Sequence, residues 1–411
     1  MRRIAAVLAV AVMLAGCGSL NDETSTQDTS QAASQPAHEL LYVATAAGTT
    51  VVDASTDAVV ATLPVGTLLP DRSRYWAVTT GDRTTVRGID PATGIDQVSF
   101  VLDGRWSVPA AYGPAPSGLS GNGKWMALVA PPTKINATGV LNNRFAIVDL
   151  AQKHIDRIVS ANGDVGFDAL SDDGRNLYLI EHLVPAPRYA VRVASFNGSG
   201  LADGVLGQIK TAEPEVMNGI YHASVAVGGE WFLSLYSNPG RGPFIHALNT
   251  TQLYAQCILN MPDVPVALRP AWSMVNDPKH ARLYAVNGAG GVVSEVDTAG
   301  LTVRRSKIDL APAAPALTTA PLHPAALSSD GTRIYAAAAH GVIVIYTGDL
   351  SVRSRYLTDR LVDSVAVSDD GQRLYTVTGG IITKIEAATG KPLATLASAG
   401  GALGILAVGA R

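Results

Sequence analysis

One pattern recurs along this chain and restricts it more than any other feature: Ser-x-Asp-Gly-x-x-Leu/Ile-Tyr. Full copies span 171–178, 328–335 and 368–375. Weaker copies begin at Ser120 and Asn276, and degenerate ones at Pro70 and Val227. Gly adopts positive φ at little cost and Asp bonds its own backbone, so each copy reads as a tight turn between two strands. The most regular stretch is 363–398. It holds apolar runs at 365–367, 374–377, 381–385 and 393–396. Asp369-Asp370-Gly371, Gly379-Gly380 and Thr389-Gly390-Lys391 separate them. Four short β-branched runs joined by three tight turns make an antiparallel meander. A second signature closes the third strand of several units, as in Asp90-Pro91-Ala92-Thr93-Gly94 and Asp297-Thr298-Ala299-Gly300.

Further units fall at 66–102, 118–160, 168–210, 222–260, 271–310 and 325–358. A four-stranded unit repeated every ~40–50 residues predicts an all-β fold, the β-propeller. The two ends complement each other. Residues 40–63 supply three strands, and 405–408 supply one. The C-terminal strand is therefore expected as the innermost strand of the N-terminal blade, closing the ring and removing its open edge. The count is eight blades, with seven left open because the unit at 66–102 is degenerate. The 40 Gly, 23 Pro and 16% charged residues fit many short strands and turns. A net charge of −3 without a Lys/Arg cluster excludes nucleic acid as a partner.

The N-terminus has its own logic. Arg2 and Arg3 precede an apolar run at 4–14 that is too short to span a membrane. Leu14-Ala15-Gly16-Cys17 follows and resembles a bacterial lipobox. The resemblance implies a signal peptide over 1–16, lipid on Cys17 and anchoring at the bacterial cell envelope, outside the cytoplasm. Residues 17–39, rich in Ser, Thr, Gln and Asp, are expected as a disordered tether, and 40–411 as the propeller. Cys257, in a strand-like run, is then expected to be a buried thiol rather than a disulfide partner.

Leu41-Tyr42-Val43-Ala44-Thr45, the Ser-Asp-Asp-Gly runs and the Asp-x-x-Thr-Gly turns resemble the YVTN-type β-propeller repeat. That family includes bacterial surface and periplasmic proteins and is structurally related to propeller lactonases and redox propellers. The resemblance covers about 40–411. It is specific for architecture, because its motifs are turn chemistry. The closing Trp-Asp dipeptide of WD repeats is absent, the Thr-Gly turns lack the Trp of quinoprotein propellers, and no lactonase catalytic set maps onto the chain.

In such a blade the second-to-third-strand turns and the blade crossovers share one face. The Asp-Gly turns lie on the other. Long loops are expected at 103–117, 130–143, 181–189, 210–222, 237–243, 260–272 and 311–324, all on the crossover face, and function is expected there. Asp168, His222, Trp272, His323 and Asp363 come just before expected innermost strands, at the channel mouth. Glu181, His182 and His340 end second strands, and Arg241 and Arg269 lie in neighbouring loops with Tyr112, Tyr189 and Tyr221 nearby in sequence. These types could line a polar funnel. No two His show metal-ligand spacing, and no nucleophile elbow, nucleotide loop or haem motif occurs, so neither cofactor nor metal is expected.

The leading expectation is a monomeric, lipid-anchored binding or scaffold module for a protein, glycan or small molecule. The rival is a lactonase-like hydrolase at the channel mouth, which requires His222, His323 and a carboxylate to converge in one pocket. A purely structural surface protein is the third reading.

Overall fold

The computed structural model describes residues 38–109, 118–135, 140–195, 217–238, 242–312, 314, 317 and 320–410. Among them the strands form eight four-stranded antiparallel sheets. They are the blades of a β-propeller, numbered here 1 to 8 from residue 66 onward. Blade 5 shows the plan: Ser273–Asp277 innermost, then Arg282–Asn287, Val292–Asp297 and Thr302–Lys307 outermost. Blade 8 is shared between the chain ends. Gly404–Ala410 lies innermost and pairs with Glu39–Thr45, with Leu41 opposite Val408, and Gly48–Asp53 and Ala58–Leu63 follow outward. Closure by the C-terminal strand and the count of eight agree with the repeat pattern.

The repeat motif folds as its chemistry dictates. Ser171 donates its hydroxyl to Asp173 at 2.6 Å, the Arg175 amide bonds the same carboxylate oxygen at 2.9 Å, and the Asn176 amide returns to Ser171 Oγ at 2.9 Å. Gly174 sits at φ +70°, where a Cβ would be strained. The copies at Ser328–Asp330 and Ser368–Asp370 repeat these bonds. The motif tyrosine is buried in the second strand and bonds into the next blade: Tyr178 Oη donates to Thr250 O at 2.9 Å, and Tyr375 Oη bonds Glu39.

Sheets that stand radially send alternate side chains to two neighbouring blades, so middle strands are apolar on both faces. Gly242–Asn249 is buried along its whole length, whereas four of the five residues of the outermost strand Pro392–Leu396 are exposed. Blades join through clusters such as Tyr178, Ile180 and Tyr189 against Tyr236, Phe244 and Leu248. Blades 7, 8 and 1 are also tied by charge. Glu39 bonds Arg373 Nε at 2.9 Å, and Arg72 pairs with Asp369 at 2.8 Å.

Several boundaries differ from the sequence reading. Blade 3 begins at Val165, and its outermost described strand is Met217–Asn218, not a run ending at 210. Asp168 and His222 lie inside the innermost strands Val165–Leu170 and Ile220–Val227, not before them. Stretches expected as loops at 130–143 and 181–189 are largely hairpin. Thr133–Ile135 pairs with Val140–Asp149, and Asn176–Leu183 pairs with Arg188–Ser195 up to Leu183 opposite Arg188. Alternating polar residues at a strand end still satisfy their backbone by pairing, so polarity alone read as loop.

Candidate functional site

In a radial sheet the innermost strand turns its edge, not its side chains, to the central channel. A side chain there needs a bulge or an irregular backbone to project from that edge. Three innermost strands have such bulges: one in blade 8, which leaves Leu406 unpaired, and two in the neighbouring blades 3 and 4. In blade 3 the pairing shifts between Phe167 and Ala169, leaving Asp168 unpaired. In blade 4 it shifts between Tyr221 and Ala223, leaving His222 unpaired. The innermost strands of blades 4 to 8 pack one beside the next around the ring. Between blades 3 and 4, and likewise between blades 8 and 1, that packing is looser.

A cavity of about 680 Å³ is lined by residues of blades 1 to 6, with Ala169 and Ala223, next to the bulged positions of blades 3 and 4, but not Asp168 or His222 themselves. Its floor is made by Asp-Gly-face turns of blades 1 to 5, including Pro70, Gly121, Asp172, Gly229 and Pro278. Ser224, Ser273, Met274 and Asn276 line its wall, with Trp231 and Phe232 on opposite faces of the blade 4 sheet and His323 on blade 6. The cavity thus reaches the face that carries the regular turns, while function was expected on the crossover face. A second cavity of about 560 Å³ does lie on the crossover face, lined by Leu317, Pro321, Leu361, Val362, Asp363 and other small apolar residues.

His323 stands out on three counts. It is not glycine yet sits at φ +50°, a conformation that costs an L-residue ~1–2 kcal/mol. Its carbonyl accepts bonds from Val365 N at 3.0 Å and Ser364 Oγ at 3.3 Å, and Ser364 Oγ in turn accepts Ile405 N at 3.1 Å. The backbone is therefore held by blades 7 and 8 while the ring is left on the cavity wall. That ring makes no hydrogen bond among the described residues. Enclosure by protein pushes its pKa down to about 4, so the imidazole is neutral.

Asp168 also lacks a hydrogen-bond or ionic partner among the described residues. Burial alone pushes its carboxyl up to about 7. It lies close enough to Tyr221 and Tyr178 to raise their hydroxyl pKa values further, after burial itself. His222 is lowered to about 4 by burial and then by the nearby Arg269 charge, and its Nε2 lies 2.6 Å from Ser237 Oγ. Asp168, His222 and His323 all keep some contact with water. A narrow channel removes most hydration without removing all of it.

The other candidates are distributed differently. Arg269, 6% exposed, lies in the 3₁₀ helix Val266–Ala271 and is held by Asp263 through bonds of 2.7 and 3.2 Å. Trp272, buried, packs into the core between blades 4 and 5, and its Nε1 has no partner among the described residues. Glu181 pairs with Arg192 at 3.4 Å on the blade 3 sheet, and the His182 amide bonds Asp164 O at 2.8 Å. His340 is exposed on a turn, and Asp363 accepts the Gly379 amide at 3.0 Å. Tyr189 stacks on Tyr236 at 4.6 Å, and Tyr221 Oη donates to Ser224 at 2.7 Å. Arg241, Tyr112 and Cys17 lie outside the described residues, as does the side chain of Cys257. No group of three or more His, Cys, Asp or Glu side chains suited to a metal occurs among the described residues.

The sequence reading missed Asp172, Ser273 and Asn276. The first had a legible signal: it fills the variable position of Ser-x-Asp-Gly. In blade 3 the turn uses Asp173, which leaves Asp172 facing the neighbouring blades.

No family model matches the chain, and no curated protein matches it by sequence. Solved structures do. Apo AztD from Citrobacter koseri is 13% identical, with a TM-score of 0.52 over 91% of this chain and 98% of that one. A second Citrobacter koseri AztD structure gives 13% and 0.51 over the same shares. The dihydro-heme d1 dehydrogenase NirN in complex with DHE gives 12% and 0.47, over 87% of this chain and 72% of that one. At these identities the likeness is one of fold: this chain is an eight-bladed β-propeller.

Proposed function

We propose that this chain is a lipid-anchored, extracytoplasmic propeller of the YVTN-repeat type that binds a small polar molecule in its central channel. The observation that carries the reading is His323. A strained backbone and a neutral ring without a hydrogen bond among the described residues, at a cavity wall, have no structural use on their own. Asp168, in the strand whose Ala169 and Leu170 line the cavity, has no partner among the described residues and supports it, because such a carboxyl costs stability that an apolar residue would not. A cavity of about 680 Å³ suits a small ligand. The anchor rests on the sequence of residues 1–17, and the chain joins blade 8 at Glu39 on the Asp-Gly face, where the Ala54 amide bonds its carbonyl.

The test is a thermal-shift screen of small polar compounds against the wild type and His323→Ala. The reading expects at least one compound to stabilise the wild type and to lose that effect in the variant. No stabilising compound, or one that ignores His323, sinks it. Cys17→Ala should move the protein from the membrane to the soluble fraction. Unchanged fractionation removes the anchor.

A further inference from the structure

The cavity has one charged side chain on its wall, and it stands at the Asp-Gly face. Asp172 is the single Asp, Glu, Lys or Arg among the described residues that line it. Its Oδ1 accepts the Asn122 amide at 2.8 Å, and its own carbonyl accepts Asn122 Nδ2 at 2.9 Å. Asn122 of blade 2 thus holds both the carboxylate and the backbone of Asp172. Its Oδ2 has no partner among the described residues.

Glycines surround it. A Cβ on Gly121 would lie 3.1 Å from Asp172 Oδ1 and 3.4 Å from Ala226 Cβ. A Cβ on Gly229 would lie 3.4 Å from Asp172 Oδ2. Small residues on both sides leave the carboxylate accessible in the mouth between blades 2, 3 and 4. Beyond it the wall is mostly uncharged. Ala169, Leu170, Val225, Trp231 and Phe232 give it apolar and aromatic surface, and Ser224, Asn276 and His323 give it neutral polar groups.

Such a wall discriminates by charge. An anion would be repelled by Asp172, and no guanidinium or ammonium among the described lining residues offsets it. A bare metal ion would find no cluster of ligands. An organic cation meets a fixed carboxylate, aromatic faces that attract a quaternary ammonium, and apolar area for its carbons.

We propose that the channel takes a small organic cation, an amine or quaternary ammonium with a short apolar body, and that Asp172 is the residue that selects it. This rests on the channel being a binding site and names the class of its ligand. The ammonium sits at Asp172 in the mouth, the carbons lie against Phe232, which faces blade 3, and a neutral polar end reaches toward His323.

The test uses the full chain and three probes of one shape: choline, its uncharged analogue 3,3-dimethylbutan-1-ol, and the anion 3,3-dimethylbutanoate. Affinities are read by isothermal titration and saturation-transfer NMR. Choline is expected to bind about 10- to 100-fold more tightly than the alcohol, the order of a partly desolvated Coulombic contact with a cation–π contribution, and the anion is expected not to bind. Asp172→Asn can keep the bond to the Asn122 amide, so it should fold, and it should bring choline down to the level of the alcohol. Gly121→Ala, which narrows the mouth, should weaken choline and the alcohol together. Asp349→Asn, at an exposed carboxylate outside the cavity, should leave all three unchanged. Equal binding of choline and the alcohol overturns the proposal, as do an unaltered choline affinity in Asp172→Asn and binding by none of the probes. If the alcohol or the anion binds best and His323→Ala abolishes it, the channel remains a binding site and only the cation class is lost.

Discussion

Asp168 offers a measurement that separates a desolvated, unpaired carboxyl from an ordinary surface one. Its pKa is raised from 3.8 to about 7 by burial. Below pH 3.8 both folded and unfolded chains hold the proton, and the residue adds no pH dependence. Between 3.8 and 7 the unfolded chain releases the proton and the folded chain keeps it, so stability falls as pH rises. Above 7 both are ionised and the loss is complete. The gap is about 3 units, and at 1.36 kcal/mol per unit the folded state loses up to about 4 kcal/mol by pH 8. Asp168→Asn cannot ionise and escapes this loss. For a chain of this size ~4 kcal/mol corresponds to about 5 °C in Tm. The assay is differential scanning fluorimetry of both proteins from pH 4 to pH 8. The quantity to follow is the change in the Tm gap between them, because any constant effect of the amide cancels. The variant should gain on the wild type steadily from pH 4 to 7 and then hold a constant lead. A gap that stays flat across this range would show that Asp168 is hydrated or paired, and the channel argument built on it would fall.

Three further outcomes follow from the packing. Glu295 is 1% exposed and meets Arg282 at 3.2 Å, Arg304 at 3.7 Å and Arg305, which also bonds Thr347 O in blade 6 at 2.7 Å. Glu295→Ala should cost about 3 kcal/mol in urea unfolding, the low end for a broken buried pair because the guanidinium groups keep some water; a loss under about 1 kcal/mol contradicts this. Gly341 and Gly401 both have positive φ, at +81° and +78°, but a Cβ on Gly341 would lie 1.9 Å from Tyr356 O while one on Gly401 meets nothing within 4 Å. Gly401→Ala should cost only the ~1–2 kcal/mol of left-handed strain, and Gly341→Ala clearly more; equal costs would refute the steric account. Finally, His246 is 2% exposed and burial lowers it to about 4, so as pH falls from 6.5 to 4 the unfolded chain takes a proton that the folded chain refuses. His246→Phe should remove up to about 3 kcal/mol of that acid loss, seen as a flatter urea midpoint from pH 7 to 4; an unchanged slope places the ring in water.

The repeat made the fold legible because its turns are local. Ser171, Asp173 and Gly174 satisfy one another within a few residues, so a reader of the chain sees the same bonds that the structure forms. Closure was legible for a related reason: three strands at one end and one at the other can satisfy their edges only together. The site was legible in part. His323, Asp168 and His222 could be singled out because the repeat put them just before expected innermost strands, at the channel mouth. Their roles could not be read, since a bulge depends on which residue opposes which across a hairpin, and sequence spacing does not carry that register. Polar strand ends such as Glu181 and His182 read as loop and proved to be paired hairpin.

The amino-acid sequence by itself determined the propeller, its closure and its repeating turns, because those follow from period, φ preference and short-range hydrogen bonds. Which face holds the cavity was decided by the tertiary structure. Asp172 and Asp369 occupy the same place in two copies of one motif. One carboxylate ends in an ion pair with Arg72 and the other in the mouth of the channel. What differs is what other blades bring beside it, Arg72 of blade 1 in one case and Gly121 and Gly229 of blades 2 and 4 in the other. Only the ring brings those neighbours together, across separations of 50 to 297 residues.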